Sequence, residues 1–91
     1  MSRDRRIRLA KSFKRDAKKH HLNLLSSEWA EVLHCLTKGL PLPERYRDHA
    51  LTGDFKGLRD CHIKPDLVLI YRLDDDMPEL HHLNSHSEIF R

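Results

Sequence analysis

The sequence predicts a small α+β layer sandwich, an N-terminal strand and two helices packed on one face of an antiparallel sheet, and three observations carry it. Apolar residues recur at helical spacing over the first forty positions, whereas from residue 55 onward apolar runs of strand length alternate with turn residues. Among these runs is Leu67-Val68-Leu69-Ile70-Tyr71, apolar on both parities, as expected of a central strand. Ninety-one residues suffice for a single domain over residues 1–91 with a modest core.

Residues 7–10 read as a short first strand. After it Phe13, Ala17 and His20 or His21 mark one helix face, while Lys11, Lys14, Arg15, Lys18 and Lys19 make the other basic. A second helix is better signed: Ser26 or Ser27 can cap it, Glu28 and Glu31 suit its positive end, and Trp29, Val32, Leu33 and Leu36 fall at i, i+3, i+4 and i+7. Gly39 stops it, and Leu40-Pro41-Leu42-Pro43 forces an extended connection because proline lacks an amide hydrogen and restrains its predecessor. Residues 55–63, 66–73 and 77–83 follow as three strands of a meander, separated by Lys64-Pro65 and by Asp74-Asp75-Asp76.

Composition bounds the function. At 38% hydrophobic and 34% charged residues, the chain is rich enough in apolar side chains to fold, and it has no apolar run near the ~20 residues needed to span a bilayer. No apolar stretch of signal-peptide type follows the first residues, so a cytoplasmic chain without membrane contact is expected. Two cysteines outside any CxxC spacing, Cys35 and Cys61, read as reduced structural thiols. The net charge of +3 conceals an asymmetry: residues 1–19 hold nine basic side chains against two acidic, the remainder eight against twelve. A basic arm of this kind attracts polyanions, nucleic acid foremost, although a solvated helix face has the same composition.

Eight histidines are the chemical anomaly, because imidazole exchanges protons near neutral pH. His49 precedes the meander, His62 lies near the end of its first strand, Asp66 opens the second, and His82 and His86 close the third. Strand ends meet in a meander, so His62 and Asp66 are expected as neighbours, with His86 brought close by the last strand. Lys56, Leu58, Asp60 and His62 share a parity and form a largely polar row facing away from the helices, with Arg59 nearby. Such a face suits an RNA phosphodiester: one group deprotonates the 2′-hydroxyl, another protonates the leaving oxygen, and cations balance the phosphorane charge. No cofactor is needed on this route. A metal site is the weaker reading, since His81 and His82 point to opposite faces of a strand and no HExxH or Cys/His ligand spacing occurs.

The stretch Asp48-His49-Ala50-Leu51-Thr52-Gly53-Asp54-Phe55-Lys56-Gly57-Leu58-Arg59-Asp60-Cys61-His62-Ile63-Lys64-Pro65-Asp66-Leu67-Val68-Leu69-Ile70-Tyr71 resembles the signature of the YafQ-type toxins of the RelE superfamily, and Asn84-Ser85-His86-Ser87-Glu88-Ile89-Phe90 resembles their C-terminus. The resemblance covers nearly the whole chain. It implies a RelE-like fold and the toxin of a type II toxin-antitoxin module, a metal-independent endonuclease of ribosome-bound mRNA silenced by a cognate antitoxin, with operator DNA contacted through the antitoxin complex. Carried over by position, the active residues fall on His49, His62, Asp66, His86 and Phe90, with Asp60 alongside. His86 is then the expected general acid and His62 or His49 the base. Asp66 orients a histidine or bonds the nucleotide, and Phe90 stacks on a base. Lys56, Arg59, His82 and the basic helix through Lys11, Lys14, Lys18 and Lys19 are expected at the RNA. Two positions depart from the pattern: Leu67 stands where an aromatic residue is common, and His82 where arginine is common. A non-catalytic module for nucleic acid or protein binding, acting in operon regulation, is the alternative.

Overall fold

The structure, a computed structural model, describes residues 5–75 and 77–90. A two-residue strand β1 (Arg8–Leu9) leads into helix α1 (Lys11–Lys19), a 3-10 turn over His21–Leu25 and helix α2 (Ser27–Lys38). A second short strand β2 (His49–Ala50) precedes the meander of β3 (Arg59–Lys64), β4 (Leu67–Asp74) and β5 (Met77–Asn84), and a one-turn helix α3 (His86–Ile89) closes the chain. The sheet order is β1-β5-β4-β3-β2, with β1 parallel to β5 and the other pairs antiparallel. The fold is the α+β sandwich expected, with two edge strands framing the meander.

Local chemistry explains the helices. The Ser26 hydroxyl accepts from the Trp29 amide at 3.2 Å, and Gly39 at φ 70° turns the chain out of α2 in a conformation that side chains disfavour. Trp29, Val32 and Leu36 are buried by α2, and Phe13 of α1 stacks on Trp29 with ring centroids 6.0 Å apart. Beneath them lie Cys61, Ile63, Leu67, Leu69, Tyr71, Leu80 and Leu83, the helix-facing side of the sheet. By strand alternation and register, Asp60, His62, Val68, Ile70, His82 and Asn84 face the other way. Both cysteines are buried free thiols, and no described helix is long and apolar enough to cross a membrane.

Three sequence expectations are corrected here. The strand expected over 55–63 begins only at Arg59, because Gly57 at φ 92° breaks the extended run and Phe55 sits in a 3-10 turn, Gly53–Phe55. Lys56 therefore leaves the row it was assigned to, and only Asp60 and His62 share a strand face. The strand expected over residues 7–10 shrinks to two residues. Of the expected acidic turn, Asp74 ends β4 and Asp75 turns the chain at φ 49°, while Asp76 lies outside the described residues.

Beyond β1, the outer edge of β5 is closed by side chains of α1. The Ser12 hydroxyl donates to the His81 carbonyl at 2.5 Å, and the Asp16 carboxylate accepts from the Leu83 amide at 3.1 Å. Asp16, 4% exposed, thus replaces a strand that the sheet lacks. Asp16→Ala strands the Leu83 amide and is expected to cost about 1–3 kcal/mol, lowering Tm by at least ~4 °C in a thermal melt.

Candidate active site

The sheet face opposite the helices gathers three histidines around one carboxylate. Strand β2 pairs His49 directly with Asp60, which puts both side chains on the same face. His49 Nδ1 lies 2.9 Å from Asp60 Oδ1 and 2.9 Å from the Arg47 carbonyl oxygen. Of the two contacts only that to Arg47 is aligned as a hydrogen bond. Asp60 Oδ1 is thereby buried beside an imidazole yet has no hydrogen-bond partner. A carbonyl can only accept, so His49 Nδ1 is assigned the proton, and Nε2 keeps the lone pair. Arg47 reaches this position through a left-handed backbone, φ 50° and ψ 43°.

Asp60 is 2% exposed. Burial raises its pKa above the ordinary carboxylate value, and the charges of His49, His62 and His86 pull in the opposite direction without cancelling that rise. All three imidazoles are therefore within electrostatic reach of the same group.

His62 is half-buried on β3, and its ring stands 6.5 Å from that of His86 at an interplanar angle of 27°. His86 is the first residue of α3, whose start is formed by a Ser-x-x-Glu pattern. The Ser85 hydroxyl accepts from the Glu88 amide and donates to the Glu88 carboxylate at 2.9 Å. The His86 ring also lies 4.7 Å from that of Phe90, which meets Phe55 edge-on at 5.2 Å. His86 is thus on a short anchored helix.

The anchor is shared with α1. Lys19 Nζ donates to Glu88 Oε2 at 2.6 Å and His20 Nε2 lies 3.0 Å from Asn84 Oδ1. The Lys19 hydrogen bond, followed by that of Ser85, holds the Glu88 carboxyl below its usual value. Lys19 is accordingly committed to the C-terminal segment, whereas Lys11, Lys14 and Lys18 are exposed along the same helix.

Other expected site residues sit elsewhere. Arg59 points to the helix side of β3, the parity opposite to Asp60. There Nε and Nη2 donate to Asp48 at 3.4 and 3.0 Å, and the Tyr71 hydroxyl donates to the same carboxylate. The Asp48 hydrogen bond raises the Arg59 pKa, and burial, then Asp48, raises that of Tyr71. Arg59 is a brace between β3 and the preceding loop and does not reach the histidine cluster. Asp66 is exposed in the β3–β4 turn, with no hydrogen bond or ion pair to His62 or to any other group among the described residues. His82 is half-buried opposite Ile70, its Nδ1 3.6 Å from Asp16 Oδ2. Lys56 is exposed in the loop after Phe55. The contributions of Arg47, Phe55 and Asp16 were not read from the sequence. Only Phe55, inside the motif quoted above, carried a signal.

Solved structures with this architecture include bacterial toxins and toxin-antitoxin complexes. A copper-bound mutant toxin from Helicobacter pylori superposes with a TM-score of 0.84 at 45% identity, covering 93% of this chain and 98% of that one. The toxin in the E. coli DinJ-YafQ complex gives 0.80 at 31% identity, over 96% and 99%. The class is therefore the toxin of a type II toxin-antitoxin system. A family described as "Bacterial toxin of type II toxin-antitoxin system, YafQ" matches residues 5–91, and the chain belongs to that YafQ family. Among curated relatives, a "Putative toxin YafQ" of Haemophilus influenzae is 46% identical over 91% of this chain and 89% of its own length. An "mRNA interferase toxin YafQ" of E. coli K12 is 36% identical over 81% and 79%. Against the copper of the H. pylori toxin, no group of three or more His, Cys, Asp or Glu among the described residues is arranged to hold a metal ion.

Proposed function

We propose that the chain is an mRNA endoribonuclease acting on message held by the ribosome, and that it cleaves by attack of the substrate's own 2′-hydroxyl. The observation that carries the reading is the His49 pair of contacts, which leaves a basic Nε2 facing outward beside a buried carboxylate. His49 Nε2 removes the 2′-hydroxyl proton, the 2′-oxygen bonds to phosphorus, and the 5′-oxygen leaves with a proton from His86. The Arg47 carbonyl holds the His49 tautomer, and the Asp60 carboxylate beside the same nitrogen steadies the imidazolium that forms. His62, beside His86, meets the phosphorane charge when protonated. Phe90 offers its ring to a base, Asp66 is free to bond a nucleotide, and Lys11, Lys14 and Lys18 follow the polyanion.

Support for an RNA substrate comes from the mRNA interferase relative, and support for an antitoxin partner from the DinJ-YafQ complex. We infer that a cognate antitoxin covers the exposed histidine face in resting cells and that operator DNA is met through that complex. The chemistry sets the test. With ribosome-bound message, the protein is expected to leave a 2′,3′-cyclic phosphate upstream and a 5′-hydroxyl downstream. A 5′-phosphate product overturns the mechanism. Soluble protein that cuts no message favours the non-catalytic module.

A further inference from the structure

From His62 a groove of ≈ 440 Å³ runs away from the histidine cluster, lined by Glu28, Arg45, Tyr46, Arg47, Lys64 and Pro65 among others. Its volume lies within the roughly 300–1,000 Å³ of clefts that hold small ligands. The charges along it are unequal in status. Arg45 is spent on Glu31 and lies over the Tyr46 ring at 4.8 Å, and the Tyr46 hydroxyl donates to Glu31 at 2.5 Å, so that wall is braced. The side chains of Arg47 and Lys64, in contrast, have no hydrogen bond or ion pair among the described residues, and neither does Glu28 of α2.

We propose that this groove is a nucleotide subsite adjoining the scissile phosphate, with Arg47 and Lys64 on the phosphates and Glu28 accepting from a base amino group. The proposal rests on the ribonuclease reading above. Two unpaired cations in a cleft continuous with a catalytic histidine fit a polyanion that must continue beyond the bond being cut. A carboxylate across the cleft repels phosphate and therefore orients the chain, favouring the exocyclic amine of adenine or cytosine over the carbonyl of uracil. Arg47 then acts twice, its carbonyl on His49 and its guanidinium on the message.

The test is single-turnover cleavage of ribosome-bound message by wild type and by the double variant Arg47→Asn/Lys64→Gln, asparagine being chosen because it tolerates the left-handed backbone. The half-saturating protein concentration is expected to rise about tenfold or more, and the slope of log affinity against log salt to fall by about 1.4, two contacts at ~0.7 each. In Glu28→Gln, the preference for adenine or cytosine over uracil at the flanking position is expected to narrow at least about threefold. Unchanged half-saturation and salt slope in the double variant overturn the subsite, as does a fall confined to the rate at saturation. An unchanged base preference in Glu28→Gln removes the base contact. A wild-type protein that cleaves no message overturns the ribonuclease reading, and the subsite with it.

Discussion

Replacing His86 by alanine is expected to slow RNA cleavage by about 10²–10⁴-fold, the range over which positioned general acids and bases contribute. The side chain is exposed on the first turn of α3 and belongs to no part of the buried core, while the Ser85 hydroxyl continues to accept from the Glu88 amide. The melting temperature should therefore move little, and the loss is chemical rather than structural. A substrate whose 5′-oxygen is replaced by sulfur separates the two explanations. A thiolate leaves without needing a proton, so general-acid loss is rescued: the wild-type and His86→Ala rates converge on the thio substrate. If the variant is equally slow on both substrates, His86 serves binding or positioning, and the acid must be sought in His62, its ring neighbour.

The parts of this molecule legible in the sequence are those fixed by local chemistry. Ser26, the i, i+3, i+4, i+7 series from Trp29 and the left-handed Gly39 specify α2, and the doubly apolar run at 67–71 specifies the central strand. Both agree with what forms. What the sequence concealed is pairing at a distance. Nothing near residues 49–50 announces a strand, because two residues carry no periodicity, yet their register against β3 is what sets His49 on Asp60. Lys19 reads as one more cation on a basic face, and only the return of the C-terminus to α1 gives it Glu88. Arg59 is a different matter: the alternation that joins Asp60 to His62 already sends Arg59 to the opposite face, so its placement was within reach of the period-2 rule. The family pattern located His49, His62 and His86 in a common site. It named Asp66 with them and Asp60 alongside, whereas in the structure Asp60 lies beside His49 and Asp66 stands exposed in the β3–β4 turn.

That distinction makes Asp60→Asn the second large effect. The amide keeps the shape of the carboxylate but removes the charge that holds and stabilises the His49 imidazolium in the proposed mechanism. Cleavage is expected to fall by about 10²–10⁴-fold, with the half-saturating concentration nearly unchanged, since Asp60 is buried and out of reach of substrate. Stability should move the other way. Burial raises the folded-state pKa of Asp60 above its unfolded value near 3.9, so between the two values the native protein holds the extra proton. The contribution of Asp60 to stability consequently declines as pH rises through that window, and above it the full cost of an ionised buried carboxylate remains. The asparagine variant carries no such cost: its unfolding free energy, measured by urea titration from pH 4 to 7, is expected to decline less with pH than that of the wild type and to equal or exceed it at neutrality. An inactive variant at least as stable as its parent would identify Asp60 as a group retained for chemistry at the expense of the fold. A variant both inactive and markedly less stable at pH 7 would instead make Asp60 a structural tie between β2 and β3, and would return the orientation of His49 to the Arg47 carbonyl alone.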